Sequence, residues 1–431
     1  MTPTFHSITL GCKLNQFDSA AMEGELARRG FTEDSDRDRA GVVIINTCTV
    51  THRADADARK LIRSVRRNNP DCRLLVTGCF AERDADAIRR IPGVDRVFGN
   101  REKPVIASIL DEIGLTGSPA GRDDAGCEES LSLPDSLHFG DRSRAFLKIQ
   151  EGCDLVCSYC IIPQVRGRSR SAPLDQVESA LEALFRRGYR EVVLTGVNTG
   201  DYGKDLDPGL SLERLLDRLL QHCGTNRIRL NSLEPLTITD GIIGLMAGSG
   251  GKLAPHLQVP LQSGSETVLR RMRRNYRAST WLDRMERLRA AMPDIGLGAD
   301  MIVGFPGETD EEFQETCRLL SASPVNYLHV FSWSERPGTA ASELSDRVHS
   351  ALIRERSSEL RRFADDAGFR FRSRYQGRQL DCVALGDGSR ALTGNFIEVG
   401  LDGPPAEPGS RVLAEITSVT AEETRAVIVP G

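Results

Sequence analysis

At 431 residues the chain exceeds one ordinary hydrophobic core and implies two to three domains, roughly one per 150 residues. A net charge of -5 excludes a chain-wide electrostatic trap for polyanions, so any nucleic-acid surface is local. The sequence is 39% hydrophobic, with no apolar run near the roughly 20 residues of a membrane span and no basic or apolar leader at its start, which predicts a cytoplasmic protein. In that setting 11 cysteines, an odd count, argue against a disulfide framework and leave metal ligation, catalysis or burial.

The first hundred residues alternate apolar strands, over 5–10, 42–45 and 74–77, with amphipathic helices over 15–29, 52–67 and 81–90. This order predicts an open parallel sheet. A cysteine stands just past each strand: Cys12, Cys48 and Cys79, two of them preceded by glycine. All strand C-termini of such a sheet lie on one edge, where ligands bind, so the three thiols are expected to converge. A single cysteine there reads as a small buried hydrophobe. Three at equivalent ends, with glycines that let backbone approach a bulky inorganic ligand, point to an iron-sulfur cluster.

Periodicity vanishes between 114 and 142, which reads as a linker or long loop, and Cys127 within it reads as incidental. Next comes Cys153-Asp-Leu-Val-Cys157-Ser-Tyr-Cys160, directly after a predicted strand. Three thiolates on one short loop with no obvious fourth ligand suit a cubic iron-sulfur cluster with one iron left open to an exogenous ligand. Structural zinc is the alternative, although it ordinarily takes four closed ligands in paired units, and only Cys157 and Cys160 form such a pair.

A sixfold alternation follows, with strands near Phe146, Val192, Ile228, Leu257, Leu297 and Leu328 and helices near Asp175, Leu212, Ile238, Thr280, Glu311 and Leu352. Thr309 and Glu312 form a capping box at one helix start. Six β/α units are fewer than the eight of a closed barrel, so a partial barrel, open along one side to a macromolecule, is expected. Glycine-containing turns follow its second strand (Gly196, Asn198), its fourth (Gln262, Ser263, Gly264) and its fifth (Gly304), at the ends where barrels bind ligands.

Of the local basic clusters, 59–67, 166–170 and 270–274, a solvated helix face is the default reading. The middle one, Arg166, Arg168 and Arg170, lies just past the cysteine loop and could hold substrate phosphates. Cys72, Cys223, Cys317 and Cys382 read as buried hydrophobes, and His256 and His329 as satisfied core histidines. From about Arg372 short β-rich runs over 380–385, 391–399, 412–416 and 424–429 predict a small β-barrel, either RNA-binding or a structural cap.

With Ile161-Ile-Pro-x-x-Arg-Gly following the cysteine loop, the whole chain resembles the radical S-adenosylmethionine methylthiotransferases. The resemblance implies an N-terminal methylthiotransferase domain (1–115) with an auxiliary 4Fe-4S cluster on Cys12, Cys48 and Cys79. After a linker (116–140) it implies a radical (β/α)6 core (141–371) with a second cluster on Cys153, Cys157 and Cys160, then a TRAM barrel (372–431). It further implies S-adenosylmethionine as cofactor, two per turnover, bound near the glycine turns and shaped by Arg274 with Tyr276. The reaction it implies replaces an inert C–H by C–S–CH3, which no side-chain base can do. The implied partners are tRNA, an electron donor such as flavodoxin or ferredoxin, and a sulfur or cluster donor, with no membrane.

The family's branches act on threonylcarbamoyladenosine in tRNA, isopentenyladenosine in tRNA, or an aspartate of a ribosomal protein. The motif Thr9-Leu-Gly-Cys12-Lys13-Leu14-Asn15-Gln16-Phe17-Asp18-Ser19 is similar to the first branch. The isopentenyl branch usually has Gln-Met after the cysteine, and the ribosomal branch a lysine where Leu14 stands. Val197-Asn-Thr-Gly-Asp-Tyr-Gly203 also resembles the threonylcarbamoyl branch.

Overall fold

The computed structural model describes residues 3–115, 131–134, 136–140 and 142–429, so Cys127 and much of the expected linker lie outside the described residues. The N-terminal unit is a parallel sheet in the order Thr32–Glu33, Thr4–Thr9, Val42–Thr47, Arg73–Gly78, Arg96–Val97. All six residues of the central strand are buried, as a parallel strand covered on both faces requires. Thr9 pairs with Asn46, and Asn46 and Thr47 pair with Thr77 and Gly78, so the strand ends line up along one edge.

Helix His52–Asn68 is amphipathic, burying Asp55, Ala58, Ile62 and Val65, and starts where Thr51 accepts a hydrogen bond from the Ala54 amide. Helix Lys13–Arg28 departs from the expected amphipathic pattern. It buries Asn15, Asp18, Ser19 and Glu23 together with Leu14, Phe17 and Leu26, because it is wedged between its own sheet and the next unit. The helix expected over 81–90 is two short ones, Cys79–Arg83 and Ala85–Arg89, with Asp84 capping the second through the Ala87 amide.

The central unit has the six expected parallel strands in two triplets. Ala145–Lys148, Glu191–Thr195 and Arg227–Leu230 form one; His256–Gln258, Gly296–Val303 and Tyr327–Ser332 form the other. A parallel bridge links Ile228 of the first triplet to Leu253, just ahead of strand His256–Gln258 of the second. Among the described residues the first and last strands pair on one side only, which leaves the barrel open on the side where helix Lys13–Arg28 packs against Ala145–Lys148. The Thr309–Glu312 capping box is formed in both directions.

Helix Ser350–Ser373 leads into a closed barrel of Gln379–Leu385, Arg390–Thr393, Glu398–Asp402, Arg411–Val419 and Thr424–Ile428. The run read as 391–399 is therefore two strands, broken at a turn where Phe396 has a φ of 72°. This barrel plugs the end of the central barrel at which the strands begin. Arg227 reaches Asp381 at 2.9 Å, Arg229 reaches the Gly394 carbonyl at 3.0 Å, and both guanidiniums close on the buried Glu191.

Ion clusters seal the joint between the N-terminal and central units. Asp18 accepts from Lys103 at 2.9 Å, Lys148 at 2.8 Å and Arg166 at 3.2 Å, and Glu151 accepts from Lys148 at 2.8 Å and Arg166 at 2.5 Å. Burial alone would raise the Asp18 carboxyl, but the three cations outweigh it and hold it well below the usual carboxylate range. Nearby, Asp55 is bonded to Arg83 at 2.9 Å and to Arg336 of the central unit at 2.8 Å.

Candidate active site

The three strand-end cysteines meet on one edge. A Cβ built on Gly11, whose φ is 97°, would lie 2.7 Å from the Cys48 Cβ and 3.0 Å from its Sγ, so only glycine lets that loop close over the thiol. Gly78, with φ of 98°, is equally constrained: its Cβ would lie 2.3 Å from the Thr47 carbonyl oxygen. Asn15 ties the loop down by donating to the carbonyls of Leu10 at 2.7 Å and Thr47 at 3.0 Å. Cys12 is exposed, Cys48 and Cys79 are buried, and all three are free thiols. Burial pushes the Cys48 thiol up to about 11, opposed by a hydrogen bond from the Val50 backbone and reinforced by Cys79 and Cys12.

The second triad is held by the loop around it. Gly152, with φ of 73°, passes so close to the Arg168 carbonyl that a Cβ would lie 1.9 Å from it. The Cys153 amide donates to the Gly167 carbonyl at 3.1 Å, and the Cys160 amide to the Cys157 carbonyl at 3.2 Å. Burial pushes Cys153 up to about 11 and Cys160 up to about 12. Arg274 donates to the Cys157 Sγ at 3.0 Å, lies 4.7 Å over the Tyr276 ring, and is ion-paired with Glu234, a carboxylate that sequence reasoning missed. Glu234 and Asp201 both bear electrostatically on Cys153.

The first set meets the segment that follows the second: Cys79 packs with Ile161, directly after Cys160, and with Val165. Among the described residues no three His, Cys, Asp or Glu side chains converge closely enough to hold a metal ion. Each set offers three thiols, a donor chemistry that suits an iron-sulfur cluster or zinc. The other described cysteines join neither set. Cys72, Cys223 and Cys382 are buried as expected, whereas Cys317 is partly exposed with its Sγ 3.6 Å from Glu359.

Around the mouth of the central barrel, the Asn198 side chain donates to Asp201 at 2.7 Å and its backbone amide to Gln150 at 2.9 Å, while its buried Oδ1 has no partner among the described residues. Gly196 lies against the same Gln150 side chain. Gln262 has a φ of 66°, and its amide bonds the Asp300 carbonyl at 2.8 Å. Gly264 and Gly304 face helices, their Cβ positions falling 2.5 Å from Thr316 Cα and 2.4 Å from Ile353, and the Ser263 hydroxyl bonds the Ser265 amide at 3.2 Å.

Arg166 departs from its expected role as a phosphate contact. It is 4% exposed, with its guanidinium committed to Asn15, Asp18 and Glu151, and it lies close enough to Cys79 and Cys12 for their charges to act on it. It is a buried cation beside the first triad. Arg168 is exposed and paired with Asp154 at 3.1 Å, and Arg170 is partly exposed. His256 is buried and bonded to the Tyr327 hydroxyl at 2.8 Å, but His329 is no core histidine: it is exposed and bonded to Gln258 at 2.8 Å and Asp300 at 3.2 Å. Lys13, from the N-terminal unit, donates to Asn231 at the mouth of the central barrel at 2.9 Å.

Residues 147–320 match the radical SAM superfamily, and residues 4–99 match an uncharacterized protein family, UPF0004. A Bacillus subtilis protein named threonylcarbamoyladenosine tRNA methylthiotransferase MtaB is 38% identical over 387 residues, covering 89% of this chain and 84% of that protein. A Nocardioides protein named tRNA-2-methylthio-N(6)-dimethylallyladenosine synthase is 34% identical over 438 residues, covering 96% and 86%. A solved radical S-adenosylmethionine methyltransferase, TsrM from Kitasatospora setae with cobalamin and a 4Fe-4S cluster bound, shares the fold with a TM-score of 0.57 at 16% identity, over 79% of this chain and 77% of that one. No helix among the described residues is long and apolar enough to cross a membrane.

Proposed function

Because the chain belongs to the radical S-adenosylmethionine tRNA methylthiotransferases, we propose that it replaces the C2–H of N6-threonylcarbamoyladenosine, next to the anticodon of tRNA, with C–S–CH3. One observation supports the reading: Cys79 of one thiol set packs against Ile161 and Val165, which follow the other set along the chain. Five relatives at 33–38% identity that bear the threonylcarbamoyladenosine name favour this substrate over the dimethylallyl one.

In this reading residues 1–115, 141–371 and 372–431 act as methylthiotransferase, radical and TRAM domains joined by the linker 116–140. Cys12, Cys48 and Cys79 hold the auxiliary 4Fe-4S cluster, and Cys153, Cys157 and Cys160 hold the radical one. When bound, these groups with two S-adenosylmethionine per turnover supply the 5′-deoxyadenosyl radical, the sulfur and the methyl group. Arg274 steadies Cys157 and orients Glu234, which with Asp201 offers carboxylates to the ammonium of S-adenosylmethionine. Gly196, Asn198 and Gln262 line the rest of that pocket, the unpartnered Asn198 Oδ1 being a ready acceptor, and Ser263, Gly264 and Gly304 support it from behind. The buried Asp18 and Asp55 clusters keep the two sites at fixed separation. Arg168 and Arg170 take RNA phosphates at the rim. A cytoplasmic setting, an electron donor such as flavodoxin or ferredoxin and a sulfur or cluster donor complete the proposal.

Mass spectrometry of tRNA nucleosides from a strain lacking the gene tests the reading. Loss of the 2-methylthio derivative of threonylcarbamoyladenosine supports it. Loss of the isopentenyl derivative instead, with the threonylcarbamoyl one retained, moves the chain to the sister branch.

A further inference from the structure

Lys13 belongs to the N-terminal unit, one residue past Cys12 and first in helix Lys13–Arg28, yet its ammonium lies in the mouth of the central barrel. There it donates to the Asn231 Oδ1 at 2.9 Å, and Asn231 directly follows strand Arg227–Leu230. The Asn231 Nδ2 donates to the Ser232 hydroxyl at 2.9 Å, which fixes the amide with its oxygen toward the lysine. An ammonium has three donors, and this contact uses one.

The nearby carboxylates are committed elsewhere. Glu191 is taken by Arg144 at 3.1 Å, Arg227 at 2.6 Å and Arg229 at 2.9 Å, and Asp300 by Gln258 at 2.5 Å and His329 at 3.2 Å. Among the described residues Lys13 makes no ion pair, and the cations Arg144 and Arg229 lie within electrostatic reach of it together with the carboxylates of Glu191 and Asp300. A partly buried cation with spare donors and no direct ion pair among the described residues is a place for an anionic ligand group. Through the backbone Lys13 is adjacent to one thiol triad, and through its side chain it borders the barrel of the other.

We propose that Lys13 binds the carboxylate of the threonylcarbamoyl group and so selects for that substituent; the assignment rests on the substrate reading above. Adenine is uncharged, and the carboxylate at the end of the N6 substituent is the only anion the modified base itself carries, whereas an isopentenyl group has none.

The test uses the full-length chain reconstituted with iron and sulfide, and anticodon stem-loop RNAs carrying threonylcarbamoyladenosine either as the free acid or as its methyl ester. Equilibrium binding and KM are measured for the wild type, Lys13→Met and Lys13→Arg, with iron content as the check on folding. The wild type is expected to prefer the acid by about 10- to 100-fold, the worth of a charge-assisted hydrogen bond. Lys13→Met should lose that preference while binding the ester as the wild type does, and Lys13→Arg should keep most of it. The assignment is overturned if Lys13→Met retains the acid preference, or weakens acid and ester alike, which marks a strut between units. A wild type that modifies both forms with no acid preference also overturns it while leaving the substrate reading standing, so a misfolded Lys13→Met does not rescue it. A wild type that acts on neither form but modifies an isopentenyladenosine stem-loop refutes the substrate reading itself.

Discussion

Replacing Asp18 with asparagine leaves three cations, Lys103, Lys148 and Arg166, facing the single carboxylate of Glu151 in a joint that is almost wholly buried. Removing one partner of a buried ion pair costs about 3–5 kcal/mol, because the remaining charge stays desolvated and uncompensated. At roughly 2–4 °C per kcal/mol for a cooperative unit of about 150–250 residues, the melting transition should fall by roughly 6–20 °C. Circular dichroism melts across pH add a sign test. The folded Asp18 carboxyl is held below its ordinary value, so its stabilisation is fully present above the unfolded value of about 3.9 and is lost as pH falls from there toward the folded value. The gap between wild type and Asp18→Asn should therefore be constant from pH 7 to about 5 and narrow below about 4. A variant that melts within a degree of the wild type, or a gap that widens in acid, refutes the claim that this cluster fastens the two units.

Arg274→Gln removes the donor to Cys157 and leaves Glu234 without its cation; the KM for S-adenosylmethionine in reductive 5′-deoxyadenosine release should rise about 10- to 100-fold, and an unchanged KM would discard the orienting role. Gly78→Ala forces a Cβ to within 2.3 Å of the Thr47 carbonyl at a φ of 98°, a strain of at least about 1–3 kcal/mol. Iron content should fall toward that of the radical site alone while 5′-deoxyadenosine release continues, and full iron retention would show that the strand-end loops tolerate the clash.

The positions of the strand-end cysteines were more legible than the supports around them. Cys12, Cys48 and Cys79 could be placed together because each directly trails an apolar strand and parallel strands end on one edge, a relation that survives sequence separations of more than thirty residues. Most of the six barrel strands were legible as apolar runs followed by a helical period, whereas Arg227–Leu230 and His256–Gln258 carry charged or polar residues. The joints were not. Asp18, Lys103, Lys148, Glu151 and Arg166 look like ordinary surface charges until helix Lys13–Arg28 is packed between two units, since burial by a neighbouring domain leaves no period in the chain. One signal was available: Lys148 ends an otherwise apolar strand, and Arg227 and Arg229 alternate with apolar residues in a buried one, where a charge must find a partner. Arg166 was misread because a cluster of arginines suggests an exposed patch, and nothing in the sequence says that its first member turns inward.

The count of clusters tests the account most directly. Mössbauer spectra and iron analysis of anaerobically reconstituted protein should give two 4Fe-4S cubes, about eight irons per chain, in the wild type. The Cys12→Ala, Cys48→Ala, Cys79→Ala triple variant should give one cube, about four irons, still releasing 5′-deoxyadenosine but forming no methylthio product. A single cube in the wild type, or a triple variant that still methylthiolates tRNA, would contradict the central claim that two thiol triads serve one reaction.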